Sequence, residues 1–360
     1  PSLLQQPPLE PGRRVGWAVV GLGRYAVNQI LPNFAETRMS RPVSLVSGNR
    51  DKANGLAGRY GIDPAKVYGY DDFDRIARDD SIDVVYIVLP NALHAEYAIR
   101  ALRAGKHVLC EKPMCVSVEQ GEAMLRAADE AGRKLMTAYR CHYEPYNLKA
   151  IELIRENAVG RPRLVTTDNA TLLDPEDSSA HWRMRRDLAG GGSLMDVGVY
   201  GVNGARYLLG EEPVEIRAMM HSPENDPRFR EVEDVVTWQM RFPSGTVVHG
   251  GTGYSFSANR FAVQGDKASL VMDPATSYYR HEMRLGGGGQ QQQFTMPEGN
   301  QFAAMLDHRS SAVRDNTPIR STGAEGLQDV RLMLKIYEAA RTGQPVRVDW
   351  RYDGAPFRRR

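Results

Sequence analysis

A short apolar run, Val15–Val20, leads into Gly21-Leu22-Gly23-Arg24-Tyr25-Ala26 and then into a helical stretch from about Tyr25 to Ala35. No other feature restricts the possible folds of this chain as strongly. The hexapeptide fits G-x-G-x-x-[GA], with Gly21 for a tight turn, Gly23 for close approach of a pyrophosphate, and the small Ala26 for helix–strand packing. A helix opening there offers free N–H groups and a favourable dipole to phosphates. The pattern continues as strand and helix in turn: Val43–Ser47, Asp51–Tyr60, Val84–Leu89, Ala92–Ala104, His107–Cys110, Val118–Ala131 and Leu135–Ala138. Fully apolar strands alternating with amphipathic helices predict a doubly wound α/β domain with a parallel sheet, over residues 15–140.

Beyond about residue 160 the texture changes. Val214–Met220, Val235–Phe242, Thr246–Gly251, Phe261–Gln264 and Ser269–Met272 read as strands joined by turn signals such as Pro243-Ser244-Gly245. They predict an open, mainly antiparallel α+β domain over 141–345, with helices near Gln301–Arg314 and Gly326–Ala340. Gly286–Gly289 with Gln290–Gln293 is low in complexity and predicts a mobile loop. Residues 1–14 hold four prolines and no apolar periodicity, as expected of an extended arm; 346–360 read as a tail ending in Arg358-Arg359-Arg360.

A length of 360 residues suits two domains, and a formal net charge of +2 gives no electrostatic case for nucleic acid. The longest nearly uncharged apolar run, Val84–Leu89, is far below the ~20 residues of a membrane span. Cys110, Cys115 and Cys141 are an odd set, without metal-ligand spacing, so a disulfide framework and a metal site are both unexpected. The chain starts without methionine, which suggests that something upstream has been removed.

Three places carry chemistry. An NAD site wants Asp or Glu at the end of the second strand; this chain has Ser47-Gly48-Asn49-Arg50-Asp51-Lys52, which suits a 2′-phosphate and hence NADP. The bland alternative is that Arg50 and Lys52 are solvated charges at a helix start. Glu111-Lys112-Pro113 follows a strand at its carboxyl end, where open α/β sheets bind ligands, although a surface lysine in a turn would look the same. Gly190-Gly191-Gly192-Ser193-Leu194-Met195-Asp196-Val197-Gly198-Val199-Tyr200 breaks structure and then starts a helix. If that helix begins by Ser193, Asp196 and Tyr200 share a face. They are then either an acid/base pair or a first-turn charge and a half-buried aromatic.

Together these residues resemble the glucose–fructose oxidoreductase/inositol dehydrogenase/rhizopine-catabolism family, whose marks are a Rossmann fingerprint, an E-K-P motif and a Gly-rich D-x-G-x-[HY] helix. Tyr200, where most members carry His, is similar to the glucose–fructose oxidoreductase branch, as are Tyr139-Arg140-Cys141-His142-Tyr143 and Trp182-Arg183-Met184-Arg185-Arg186. The resemblance implies that Gly21, Leu22, Gly23, Arg24 and Tyr25 hold the pyrophosphate of NADP and that Ser47 and Lys52 hold its 2′-phosphate. It implies that Tyr70, Leu89, Glu111, Lys112 and Arg140 line the nucleotide, with Trp182, Arg183 and Tyr279 reaching it from the second domain. Lys112, Tyr200 and Asp196 then frame the reacting sugar carbon.

The implied activity is a ping-pong cycle on tightly bound NADP: an aldose is oxidised at C1 to a lactone, and a second sugar is reduced to an alditol such as sorbitol. A free tyrosine titrates near 10, so acid/base work near neutrality calls for a neighbouring cation, the part the resemblance gives to Lys112. A dehydrogenase that releases its cofactor and a non-catalytic NADP-binding regulator are the rival readings. The resemblance also implies a homo-oligomer, dimer or tetramer, embraced by the proline-rich arm, and a periplasmic location.

Overall fold

Six parallel strands form the first sheet: β1 (Val15–Val20), β2 (Ser40–Val46), β3 (Val67–Tyr68), β4 (Val84–Ile87), β5 (His107–Cys110) and β6 (Leu135–Thr137). Their spatial order is β3-β2-β1-β4-β5-β6, so the strand order reverses beside β1. This arrangement, seen in a computed structural model that describes residues 8–297, 299–350, 352–354 and 357, is the doubly wound dinucleotide-binding topology. Every residue of β1 and β4 is buried, as a sheet covered on both faces requires.

The stretch after β1 is not a regular helix. A wide turn over Ala26–Ile30 passes into α1 (Leu31–Asn33) and a tight turn, Phe34–Glu36. Helix α2 (Arg50–Tyr60) is capped by Asn49, whose side chain accepts from the Lys52 N–H, and ends at left-handed Gly61. Helix α3 (His94–Arg103) buries His94, Ala95, Tyr97, Ala98, Ala101 and Leu102, an i, i+3, i+4, i+7 stripe. Helix α4 (Val118–Ala131) starts at Ser117, which accepts from the Gln120 N–H, and ends at Gly132.

The chain divides into one unit of Pro1–Tyr143 with Gly299–Gly326 and another of Glu144–Glu298 with Leu327–Arg360. Helix α8 (Gln301–Arg314) therefore packs in the first unit, whereas the sequence pattern assigned it to the second domain. Its Phe302, Met305 and Leu306 join the core that holds Trp17. Trp17 Nε1 donates to Ser310 Oγ at 3.0 Å, and the Asp307 carboxylate accepts from Arg38 N–H (2.7 Å), Met39 N–H (3.0 Å) and Ser40 Oγ (2.8 Å). Of the proline-rich arm, residues 1–7 lie outside the described residues; at its end Leu9 N–H donates to the Arg38 carbonyl at 2.9 Å.

The second unit is built on nine strands in the order β14-β13-β12-β11-β7-β10-β9-β8-β15. They are β7 (Pro162–Ala170), β8 (Glu215–His221), β9 (Val235–Arg241), β10 (Val247–Thr252), β11 (Ala258–Gly265), β12 (Ser269–Met272), β13 (Met283–Gly287), β14 (Gln290–Phe294) and β15 (Val346–Arg347). The sheet is antiparallel except where β10 runs parallel to β7. Three expectations are corrected here. The central strand β7 carries polar residues on both faces, Thr166 and Asp168 on one and Thr167 and Asn169 on the other, and was not anticipated. The glycine–glutamine stretch is no loop but the β13–β14 hairpin, turned at Gly288 and Gly289, whose φ values of 59° and 79° fit a primed two-residue turn. The start of the expected tail is the edge strand β15, paired with β8, and Trp350 Nε1 donates to Gln328 Oε1 at 2.7 Å.

Helices α5 (Pro145–Arg155), α6 (Arg186–Ala189), α7 (Val199–Leu209) and the greater part of α9 (Gly323–Thr342) belong to this second unit. Buried Arg206 on α7 donates to Glu212 (2.7 Å) and to Asp329 of α9 (2.5 Å), while Asn203 Nδ2 donates to the same Asp329 at 2.8 Å. That network fixes α7 against α9.

Candidate functional site

In the first unit, the candidate residues lie beyond the carboxyl ends of β1, β2, β4 and β5. Gly21 has φ of 90°, and a Cβ there would stand 2.2 Å from the Val88 carbonyl oxygen. A Cβ on exposed Gly23 would meet no heavy atom within 4 Å, so this backbone is open on its outer side. Buried Ala26 packs against the core, Arg24 is exposed and Tyr25 half-buried. These are the properties a pyrophosphate-binding turn needs, and the residues fit a dinucleotide.

No acid stands at the end of β2. Ser47 is 6% exposed, and its hydroxyl accepts from the Asn49 N–H at 3.1 Å. Lys52 Nζ donates to the Leu22 carbonyl at 2.5 Å, which brings its charge to the glycine turn. Arg50 is otherwise engaged, donating to the Val67 carbonyl (3.0 Å) and Asp72 (3.1 Å). Tyr70 packs edge-on against Tyr97, and its ring lies 3.3 Å from the position of a Cβ on Gly48.

Glu111, Lys112 and Pro113 follow β5, with a cis bond before Pro113. Hydrogen bonds of Glu111 and His94 pin this turn. Tyr86 on β4 donates its hydroxyl to Glu111 Oε1 at 2.5 Å, and Glu111 Oε2 accepts from the Lys112 N–H at 3.2 Å. Buried His94 places Nδ1 2.9 Å from the Pro113 carbonyl and Nε2 2.8 Å from the Leu89 carbonyl. Burial pushes the His94 pKa down to about 4, against the Pro113 and Leu89 carbonyls, which favour the protonated ring. Lys112 itself is half-buried. Arg140, 3% exposed, donates to Gln301 Oε1 at 2.8 Å.

In the second unit, the glycine run is shaped by what it touches. A Cβ on Gly191 would stand 2.2 Å from the Tyr337 hydroxyl, and one on Gly192 2.1 Å from the Glu233 carbonyl oxygen. The Glu233 carboxylate caps the helix start, accepting from Gly192 N–H (2.8 Å), Leu194 N–H (3.1 Å) and Tyr337 OH (2.8 Å). Burial raises its pKa against those donors. A wide turn over Leu194–Gly198 carries Asp196 into α7, where half-buried Tyr200 stands four residues on.

Asp196 Oδ2 accepts from Arg183 Nε at 2.8 Å and from Tyr254 OH at 3.1 Å. The Arg183 guanidinium also lies over the Trp182 ring, 4.5 Å from its centroid. Burial first, and Asp196 next, push the Tyr254 hydroxyl well above its usual range, so it stays a donor. Tyr279 is 58% exposed on the loop before β13. The structure thus brings Asp196 and Arg183 together in the second unit, and Lys52 and Leu22 together in the first. Tyr86, His94, Glu233, Tyr254 and Tyr337 were not anticipated. Only Tyr86 left a signal, as the one hydroxyl in the apolar run Val84–Leu89.

All three cysteines are free and buried, and no group of metal-ligating side chains occurs among the described residues. No helix among them is long and apolar enough to cross a membrane.

Two family profiles match the chain: "Oxidoreductase family, NAD-binding Rossmann fold" over residues 15–139 and "Oxidoreductase family, C-terminal alpha/beta domain" over 151–348. Among solved structures, it is similar to the aldose-aldose oxidoreductase of Caulobacter crescentus in complex with glycerol. That likeness has a TM-score of 0.90 and 44% identity, covering 93% of this chain and 100% of that one. A 3-ketoreductase from Actinomadura kijaniata in complex with NADP and TDP-benzene aligns with a TM-score of 0.79 and 26% identity, over 92% and 98% of the two chains. The D-xylose 1-dehydrogenase [NADP(+)] of Haloarcula marismortui is 30% identical over 93% of each chain. With the doubly wound topology, the glycine turn and these matches over both units, the chain is an oxidoreductase of the glucose–fructose oxidoreductase/inositol dehydrogenase/rhizopine-catabolism family.

Proposed function

We infer that this oxidoreductase uses NADP, keeps it bound through a two-sugar cycle, oxidises an aldose at C1 to a lactone, and reduces a second sugar to an alditol. The observation that carries the cofactor choice is the end of β2, where buried Ser47 replaces an acid and Lys52 turns its ammonium to the glycine turn. The likeness to an aldose-aldose oxidoreductase supports the two-sugar cycle.

In this reading Tyr200 takes the O1 proton as C1 loses hydride, and returns a proton to the carbonyl oxygen of the second sugar. Lys112 supplies the positive charge that favours the ionised phenol oxygen. Asp196, fixed by Arg183 and Tyr254, accepts a hydrogen bond from a sugar hydroxyl and orients the ring. The nicotinamide, when bound, supplies reversible hydride chemistry. Assembly into a dimer or tetramer and a periplasmic location belong to the same proposal and are motivated by the family resemblance alone; mass in solution and cell fractionation test them.

The deciding experiment is mass spectrometry of the nucleotide released by denaturation, followed by turnover of D-glucose without added cofactor. NADP and unaided turnover are expected; release of NAD alone overturns the cofactor assignment. Turnover only when free NADP is supplied favours the second reading, a dehydrogenase that releases its cofactor, which the likeness to D-xylose 1-dehydrogenase [NADP(+)] supports.

A further inference from the structure

Tyr86 poses a question of economy. It sits in β4, whose described residues are all buried, between valines and an isoleucine, with its ring edge-on to Trp17 at 6.2 Å. Phenylalanine would pack the same ring. A buried hydroxyl there costs about 1–3 kcal/mol unless it is paired. Tyr86 is paired twice: it donates to Glu111 Oε1 at 2.5 Å, and the hydroxyl of Tyr25 is a second hydrogen-bond partner.

The direction of these bonds follows from proton count. Tyr86 has one proton and gives it to the carboxylate, so its oxygen accepts from Tyr25. Burial and Glu111 both hold that proton on Tyr86. Glu111 in turn accepts the Lys112 N–H. Tyr25 occupies the fifth position of the glycine turn and packs its ring edge-on to Phe302 at 6.3 Å, so its own placement depends on how that turn is held.

We propose that Tyr25, Tyr86 and Glu111 form a directed hydrogen-bond chain that couples nucleotide binding at the glycine turn to the placement of Lys112, with Tyr86 as the positioning residue. The inference rests on the proposed roles of the glycine turn and of Lys112. Coupling of this kind is reciprocal: if an occupied turn favours the intact chain, the intact chain favours occupancy by the same factor. Burial raises the Glu111 pKa, while the hydrogen bond from Tyr86 and the charges of Lys112 and Arg140 oppose that shift and favour the carboxylate.

The test is a double-mutant cycle of Tyr25→Phe and Tyr86→Phe in the full-length protein, read on the equilibrium affinity for NADP and on steady-state oxidation of D-glucose. Each single change is expected to weaken NADP binding about 3–10-fold, the worth of one net hydrogen bond. The double variant is expected to be no weaker than the worse single one. Turnover falls with each, while the KM for D-glucose stays within about twofold, a split that general loosening of the fold would not produce.

Effects that multiply in the double variant overturn the proposal, as does Tyr86→Phe with both affinity and kcat within about twofold of wild type. If Tyr86→Phe does not fold, Glu111→Gln takes its place in the cycle with Tyr25→Phe, under the same criteria. A wild-type protein that holds NAD, or oxidises no aldose, refutes the proposed function and not the chain. The same cycle is then read on the release rate of the nucleotide it does retain.

Discussion

Arg183 is bound to Asp196: its Nε stands 2.8 Å from Oδ2. The family resemblance implied that this arginine reaches the nucleotide, and its guanidinium also holds the acid expected to act on the sugar. Tyr254 donates to the same oxygen. Hydrogen bonds to a charged group are worth about 1.5–3 kcal/mol, so Arg183→Gln is expected to lower kcat/KM for the aldose roughly 10–100-fold. Tyr254→Phe is expected to cost less, and its effect should vanish in an Asp196→Asn background. Steady-state kinetics of the two singles and the double against Asp196→Asn measure this.

The proton-transfer assignment predicts that Tyr200→Phe retains fold and nucleotide and loses on the order of 10²–10⁴ in turnover. Rapid-mixing measurement of cofactor reduction by an aldose checks it. A wild-type rate would make Tyr200 a packing residue and move the acid/base role to Lys112.

The two glycines of the turn separate folding from binding. Gly21→Ala places a methyl 2.2 Å from the Val88 carbonyl at a φ of 90°, and is expected to destabilise by about 3 kcal/mol. Gly23→Ala meets nothing within 4 Å and should leave the melting temperature unchanged while weakening nucleotide binding at least about tenfold. Thermal denaturation and nucleotide titration of both variants make the comparison.

Cofactor preference is expected to follow Ser47. Ser47→Asp sets a carboxylate against the 2′-phosphate and should move the NADP/NAD affinity ratio toward NAD by roughly tenfold or more. Arg50→Ala should change it little, since Arg50 donates to Asp72 and Val67. Competitive titration with both nucleotides distinguishes them.

Acid should weaken the first unit through His94. Its pKa is near 4 when folded and 6.5 in an unfolded chain, so as pH falls from about 6.5 to 4 the unfolded state takes up the proton first and stability is lost. The loss reaches on the order of 3 kcal/mol at the low end. His94→Gln should flatten the dependence of melting temperature on pH in that window.

How much of this was legible beforehand divides along physical lines. Strands β1, β4 and β5 and helices α2, α3 and α4 announce themselves because burial on both faces or a 3.6-residue stripe leaves a strong local pattern. The lack of an acid after β2 is likewise a local fact. The central strand β7 was obscured because Thr166, Asp168 and Asn169 interrupt its apolar run, and its partners are distant in sequence. The Gln290–Phe294 strand has weak β-propensity and is held by its glycine turn and by β13. Tyr254 and Tyr337 carry no local mark at all; their hydroxyls matter only through Asp196 and Glu233, which the fold delivers.

The first unit is discontinuous: the chain leaves it after Tyr143 and returns only for Gly299–Gly326. During synthesis the nucleotide-binding sheet therefore emerges from the ribosome long before the helix that completes its core. Until then the surface around Trp17 that receives Phe302, Met305 and Leu306 has no cover, and the Arg38 and Met39 amides lack the Asp307 carboxylate. A nascent chain stopped near residue 143 is expected to be a substrate for chaperones and not a small folded domain. Cofactor loading would then be among the last events in the protein's maturation.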